Sequence, residues 1–339
     1  MDDHIPHPDR QPSPVHPPEP APGTDADPPE HTLSGRAPAE PPGPRPAAFV
    51  LSGGANLEAA QVGMLRALVE RGIRPDVIVG CSIGAINGAA LAQDPTPAGV
   101  DRLEHVWKTT DAGELMPRPW LPRPLALLRR DEATSCRTEM HRLLERTLTA
   151  ATFTDLVTPL HCVATDVRSG AEAWLSDGPL ADALLASAAL PSTFPPVIVG
   201  GRRVLDGALV DDVPIRRAVE LGARTLYVLE VGPPDQAWSG ASHSRRAAVD
   251  AYRHARRHRL RRELEVIPPG VDVHLMPHGD LLALGVGDFT HSAELIAGAH
   301  RASSAYLASA LQGAAQLTTV TGGPVARRAW AAPPGRRRG

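Results

Sequence analysis

The chain has 339 residues, of which 42% are apolar, 22% charged and only 4% aromatic, so Ala, Leu and Val must fill its core. A formal charge of −3 at pH 7 excludes a general nucleic-acid binder. Three widely spaced cysteines (Cys81, Cys136, Cys162), with no Cys-x-x-Cys, argue against a disulfide framework or zinc site and for a reducing compartment.

Fifteen of the 36 prolines lie in residues 1–46, which carry eight acidic and three basic groups and almost no large apolar side chain. Such a segment buries too little surface to offset ordering entropy, so a disordered tail is expected there. Residues 323–339, rich in Gly, Pro and Arg, are expected to be a second tail. No run reaches the ~18 apolar residues of a membrane span. The N-terminus also lacks the basic and apolar regions of a signal peptide. A cytoplasmic protein, at most peripheral to the membrane, is expected.

From Ala47 the texture changes. Ala47–Leu51 reads as a strand, Leu57–Arg71 as a helix ending at Gly72, Asp76–Val79 as a strand and Ile83–Gln93 as a helix. Strand, helix, strand, helix at this spacing implies a parallel sheet with crossover helices. Helix is expected again at Ser135–Leu148, strand at Leu160–Val167, and a hairpin through Arg168-Ser169-Gly170. Leu180–Ala188 reads as a short helix, and Val197–Leu205 as two strand fragments around Gly200-Gly201. Ile215–Leu221 is a helix, Thr225–Val231 a strand, residues 242–265 an Arg-rich helix, Val271–Met276 a strand and His291–Leu311 a last helix. One α/β domain over residues 47–322 is expected.

Three segments carry chemistry. Gly80-Cys81-Ser82-Ile83-Gly84 is a G-x-S-x-G between a strand and a helix, the setting of a nucleophile elbow. The turn is so tight that Gly80 and Gly84 must lack side chains, and Ser82 sits where the helix dipole favours developing negative charge. Ser52-Gly53-Gly54-Ala55-Asn56 links the first strand to the first helix. Its backbone N–H groups suit either an oxyanion hole or a phosphate. It is neither G-x-G-x-x-G nor a P-loop. Asp206-Gly207-Ala208 closes an apolar strand and can present a carboxylate to a cleft. No His, Cys or Asp cluster has metal-ligand spacing, so neither a metal nor another cofactor is expected.

In order and spacing these three segments resemble the patatin-like phospholipase family. So do Ala164-Thr165-Asp166, Ser187–Pro196, Asp206–Ala223 and Asp288–Ala302, which extends the resemblance over essentially residues 47–312. The resemblance implies a three-layer α/β/α fold with a mainly parallel central sheet. It implies a serine acyl-ester hydrolase of phospholipids or other lipids working through a Ser–Asp dyad. Ser82 would be the nucleophile and Asp206 the proton acceptor, with Gly53, Gly54 and Ala55 as the oxyanion loop. The partners implied are a lipid acyl ester and, transiently, a membrane surface.

The chain departs from the family pattern at Ala55, Leu57 and Glu58, where the pattern has a third Gly, a cation and another Gly. Asp211-Asp212 stand where amides are common. Ala55 matters if its φ is positive, where a Cβ is unfavourable. Glu58 is expected to be a solvent-facing carboxylate in the first helical turn, where it helps the helix dipole; pointed at the oxyanion it would oppose catalysis. An impaired oxyanion loop would leave a non-catalytic lipid- or acyl-binding protein. A Ser–His–Asp esterase is the chemical rival, with His278 as its imidazole. Only 29 residues separate Gly53 from Ser82, too few for the elements that fold requires. Cys81 is expected to be a core thiol, and Asp166 either a turn cap or a cleft carboxylate. The eight arginines between Arg245 and Arg262 read as a solvated helix face or a surface for anions. Residues 115–130 read as a surface connection or a membrane-dipping flap.

Overall fold

The computed structural model describes residues 45–110, 129–191, 194–232, 244–281 and 288–320. Both expected tails apart from Arg45 and Pro46, and nearly all of the 115–130 segment, lie outside these residues, as do the side chains of Arg245, Arg246 and Arg253.

The elements follow in order: β1 (Ala47–Leu51), α1 (Ala59–Val69), β2 (Val77–Cys81), α2 (Ile83–Gln93), α3 (Pro97–Thr109), α4 (Arg129–Thr147), β3 (Leu160–Asp166) and β4 (Glu172–Leu175). They continue with α5 (Leu180–Ser187), β5 (Val197–Val199), β6 (Arg202–Asp206), α6 (Ile215–Glu220), β7 (Thr225–Leu229), α7 (Ser244–Glu265), β8 (Asp272–Leu275) and α8 (Ser292–Val320). The strands form one sheet in the order β5-β6-β3-β2-β1-β7-β8, with β4 also on β3. The five strands from β3 to β8 run parallel, and β4, β5 and β6 are antiparallel additions.

Strand β1 explains the layering. Its alternate side chains point to opposite faces. Phe49 and Leu51 join a core with α1, α2, α5 and α8, while Ala48 and Val50 join a second core with Ile215 and Ala218 of α6. Leu260 and Leu264 of α7 pack on that second core. A strand covered on both faces must be apolar throughout, which AAFVL is. Three layers follow, as the family resemblance implies.

Helix α3 is absent from the sequence reading. Its signals are local: the Thr96 side chain caps Gly99 N–H, Pro97 opens the helix, and Val100, Leu103, Val106 and Trp107 form its buried stripe. Helix α1 begins at Ala59 rather than Leu57, because residues Ala55–Glu58 form a 3-10 turn. The described hairpin turn settles Asp166, whose Oδ1 accepts from Arg168 N–H, Ser169 N–H and the Ser169 hydroxyl. It is a turn cap.

Candidate active site

Register brings Ser82 and Asp206 together. Cys81 of β2 pairs with Val163 of β3, and the next β3 residue, Ala164, pairs with Asp206 of β6. Ser82, one residue beyond Cys81, therefore stands in the row that Asp206 closes. Ser82 Oγ donates to Asp206 Oδ2 at 2.8 Å. The other carboxylate oxygen accepts Ala208 N–H at 2.8 Å. His278, which a triad would place between them, instead bonds the Gly279 carbonyl in the loop after β8.

Ser82 adopts φ +54°, a conformation costly for a residue with a Cβ. Its surroundings hold it there. Ser82 N–H donates to Ser187 Oγ at 2.9 Å, and Ser187 Oγ donates to Val163 O at 2.7 Å. Ser187, at the end of α5, thus ties the elbow to β3, a role the sequence motifs do not reveal. A Cβ on Gly80 would stand 2.7 Å from Ala85 Cα, and one on Gly84 only 2.1 Å from Ser52 O. Both glycines are required by close approach, as the elbow pattern demands. Cys81 is fully buried beside Val163 and Ala208, and burial pushes its thiol well up, so it is a core thiol.

The glycine loop abuts the elbow. A Cβ on Gly53 would lie 3.0 Å from Ser82 Cβ. Gly53 N–H already donates to Asp212 O at 3.3 Å. The N–H groups of Gly54 and Ala55 meet no acceptor among the described residues. Ala55 has φ +57°, the left-handed region that favours glycine.

Glu58 corrects the sequence expectation. It does not face solvent; it is fully buried, with Oε1 accepting from Ser52 Oγ at 3.1 Å and Oε2 without a partner among the described residues. Burial pushes its carboxyl well above the usual range, and Asp212 adds to this while Arg256 opposes it. The carboxyl lies over Gly54, where a Cβ would meet Oε1 at 2.3 Å. Beneath the loop, Gln61 donates to Ser52 O and Leu229 O, Asn87 to Glu58 O and Gln61 Oε1, and Trp107 to Asn87 Oδ1. Leu57 packs on the main core.

Burial dominates the carboxyls around the serine. It pushes Asp206 up to about 6, against the opposing Ala208 and Ser82 hydrogen bonds. Asp212 is pushed up to about 6 by burial, countered by Arg256. Asp211 is pushed up to about 8 by burial, with Glu263 and Glu172 adding repulsion. Arg256 of α7 binds Asp212 Oδ2 through Nε at 2.5 Å and donates through Nη2 to Gly53 O. Arg259 reaches Ala208 O and Leu209 O. Two of the eight arginines thus turn toward the domain, contrary to a uniformly solvated face. Among the described residues no helix is long and apolar enough to cross a membrane, and no group of three or more His, Cys, Asp or Glu side chains could hold a metal ion.

Residues 49–219, half of the chain, match the family model described as patatin-like phospholipase. The chain is similar to patatin-like phospholipase domain-containing protein 6 of Homo sapiens, 28% identical over 191 residues that make up 56% of this chain and 14% of that protein. It is similar to a lysophospholipase of Aspergillus terreus, 29% identical over 191 residues, 56% of this chain and 12% of that protein. The match thus spans about an eighth of the length of these curated relatives. Among solved structures, VipD from Legionella pneumophila superposes with a TM-score of 0.42 at 14% identity, covering 78% of this chain and 67% of that one.

Proposed function

The chain belongs to the patatin-like phospholipase family, and we propose that it is a serine hydrolase of phospholipid or other lipid acyl esters. The observation that carries this reading is the direct 2.8 Å hydrogen bond from Ser82 Oγ to the buried Asp206 carboxylate at a strand-to-helix elbow.

Asp206 takes the Ser82 proton as Oγ attacks the ester carbonyl carbon. A carboxyl at about 6 is ionised at neutral pH, yet is a stronger base than an ordinary aspartate. The carbonyl oxygen becomes an oxyanion, received by the Gly54 and Ala55 N–H groups. Gly53 shapes the loop instead, since its own N–H has an acceptor. Collapse of the intermediate expels the alcohol, which takes the proton from Asp206 and leaves an acyl-Ser82. Water, deprotonated by Asp206, attacks the acyl carbon and returns the free acid and Ser82. Because lipid acyl esters reside in bilayers, transient contact with a membrane surface belongs to this reading.

A fluorophosphonate probe should label Ser82. A short p-nitrophenyl ester should be turned over by the wild type and not by Ser82→Ala. Failure of the wild type in both assays would favour a lipid-binding protein with an impaired loop, the reading that the positive φ of Ala55 supports.

A further inference from the structure

The Gly53–Gly54 peptide is gripped from one side by a residue 203 positions away. Arg256 Nη2 donates to Gly53 O, and the same guanidinium holds Asp212 Oδ2. Asp212 in turn accepts Gly53 N–H on its main-chain oxygen. The Arg256 side chain is 13% exposed and that of Asp212 only 4%, so the pair is poorly screened by solvent.

A peptide unit is planar and trans, so its C=O and N–H point in opposite directions. The carbonyl of Gly53 and the N–H of Gly54 belong to one such unit. Whatever fixes the direction of the first fixes the second. A charge-assisted bond to the carbonyl also polarises the peptide and strengthens its N–H as a donor. We infer that Arg256 is a positioning residue for the oxyanion hole, holding the Gly53 carbonyl so that the Gly54 N–H is aimed and polarised for the oxyanion. This rests on the reading of Ser82 as an acyl-transfer nucleophile.

Charge gives Arg256 a second reason to be there. Glu58 lies over Gly54, Asp212 lies beside Gly53, and Glu230 acts on both carboxyls. A developing oxyanion among such groups would be repelled wherever they ionise. Arg256 offsets them from α7, a helix whose Leu260 and Leu264 pack on the second core and whose Arg259 reaches Ala208 O and Leu209 O. At the loop position where the family pattern has a cation, this chain carries Leu57, which is partly buried and packs against the core.

The test uses the full chain and a short p-nitrophenyl ester, with Arg256→Met, Arg256→Lys, Ser82→Ala and the exposed Arg262→Met as a control on the same helix. Arg256→Met should lower kcat roughly 10- to 100-fold, the scale of a misdirected oxyanion donor, with KM changed less than about threefold. Fluorophosphonate labelling of Ser82 should slow in parallel. Arg256→Lys keeps the charge and loses the fork, so its kcat should lie between the two. Arg262→Met should behave as wild type. A folded Arg256→Met with wild-type kcat, or with raised KM and unchanged kcat, overturns the inference while leaving the serine assignment intact. If the Met variant unfolds, Arg256→Lys decides: a several-fold lower kcat at an unchanged melting temperature supports the inference, and a wild-type kcat overturns it. Absence of turnover and labelling in the wild type overturns the hydrolase reading and the inference together.

Discussion

The elbow and the glycine loop are two versions of one device. Each leaves a parallel strand, turns within a few residues and enters a helix, and β1 and β2 lie side by side. Each holds a non-glycine residue at positive φ, Ser82 at +54° and Ala55 at +57°. They differ in how the close approaches are absorbed. At the elbow Gly80 and Gly84 give up their side chains to the backbone of the next helix turn and of Ser52. At the loop the space over Gly54 is filled by the buried Glu58 carboxyl, and the loop is held from outside by Asp212 and Arg256. Both turns are tied from afar, the elbow by Ser187 and the loop by Asp212 and Arg256, but only the elbow carries in its own motif the glycines that its close approaches require.

The largest effect should come from the partner that completes the elbow. Asp206→Asn keeps the shape and removes the proton acceptor, so kcat should fall ~10²- to 10⁴-fold with little change in melting temperature. His278→Ala should leave the rate near wild type, because His278 bonds only its neighbour's carbonyl among the described contacts. A crippled His278→Ala beside a mild Asp206→Asn would restore the triad. In the wild type kcat/KM should fall as pH drops through about 6, where Asp206 takes up a proton, and an acid limb near 4 would show that burial does not tune this carboxyl.

Next comes the elbow itself. Gly84→Ala places a methyl 2.1 Å from Ser52 O, and neither backbone can yield without moving β1 or α2. A loss of about 2–4 kcal/mol in urea unfolding is expected, together with loss of activity. A stable, active variant would mean that the elbow has slack. The same glycine pattern is what made this half of the site legible in the sequence. G-x-S-x-G states its own geometry within five residues, and AAFVL and VIVGC state that β1 and β2 are buried. The loop's supports are not legible. Arg256 is one of eight arginines on a polar helix, and its partners lie 44 and 203 positions away. Glu58 reads as a solvent-facing helix-start carboxylate, because nothing local tells that Ser52 and Gly54 will close over it. Helix α3 went unread although the signals of its Thr96-Pro97 start, the cap and the apolar spacing, are local.

A smaller effect should mark the turn that carries Asp212. Its neighbour Asp211 has a buried oxygen without a partner among the described residues, and burial with Glu263 and Glu172 nearby pushes its carboxyl up to about 8. A folded pKa above the unfolded value of 3.8 means that the folded state holds the proton more tightly. Stability from this group is complete below pH ~4 and is lost as pH rises through 8. Asp211→Asn, which mimics the neutral form, should therefore stabilise the protein at pH 8 by ~1 kcal/mol or more and flatten the fall in melting temperature between pH 6 and 8. An unchanged slope would show that Asp211 ionises without cost.

The smallest effect belongs to the loop's own strained residue. Ala55 sits at φ +57°, where an L side chain costs about 1 kcal/mol and glycine almost nothing. Ala55→Gly removes that cost in the folded state but adds backbone freedom to the unfolded chain, which works against it by up to ~1 kcal/mol. The net change in stability should lie between about zero and 1 kcal/mol in favour of glycine, against the loss expected for Gly84→Ala one strand away. The strain is present before substrate arrives, so it weighs equally on the free enzyme and the transition state and should hardly touch kcat. A rise in turnover is expected only to the extent that the Ala55 Cβ holds an N–H off the oxyanion, and a strain of ~1 kcal/mol limits such a gain to about fivefold. Measured together, melting temperature and kcat separate the two causes. A more stable variant with unchanged kcat means a strained but intact hole; a faster one means that Ala55 impairs catalysis. A less stable variant would refute the strain at Ala55 and, with it, the parallel between the two turns.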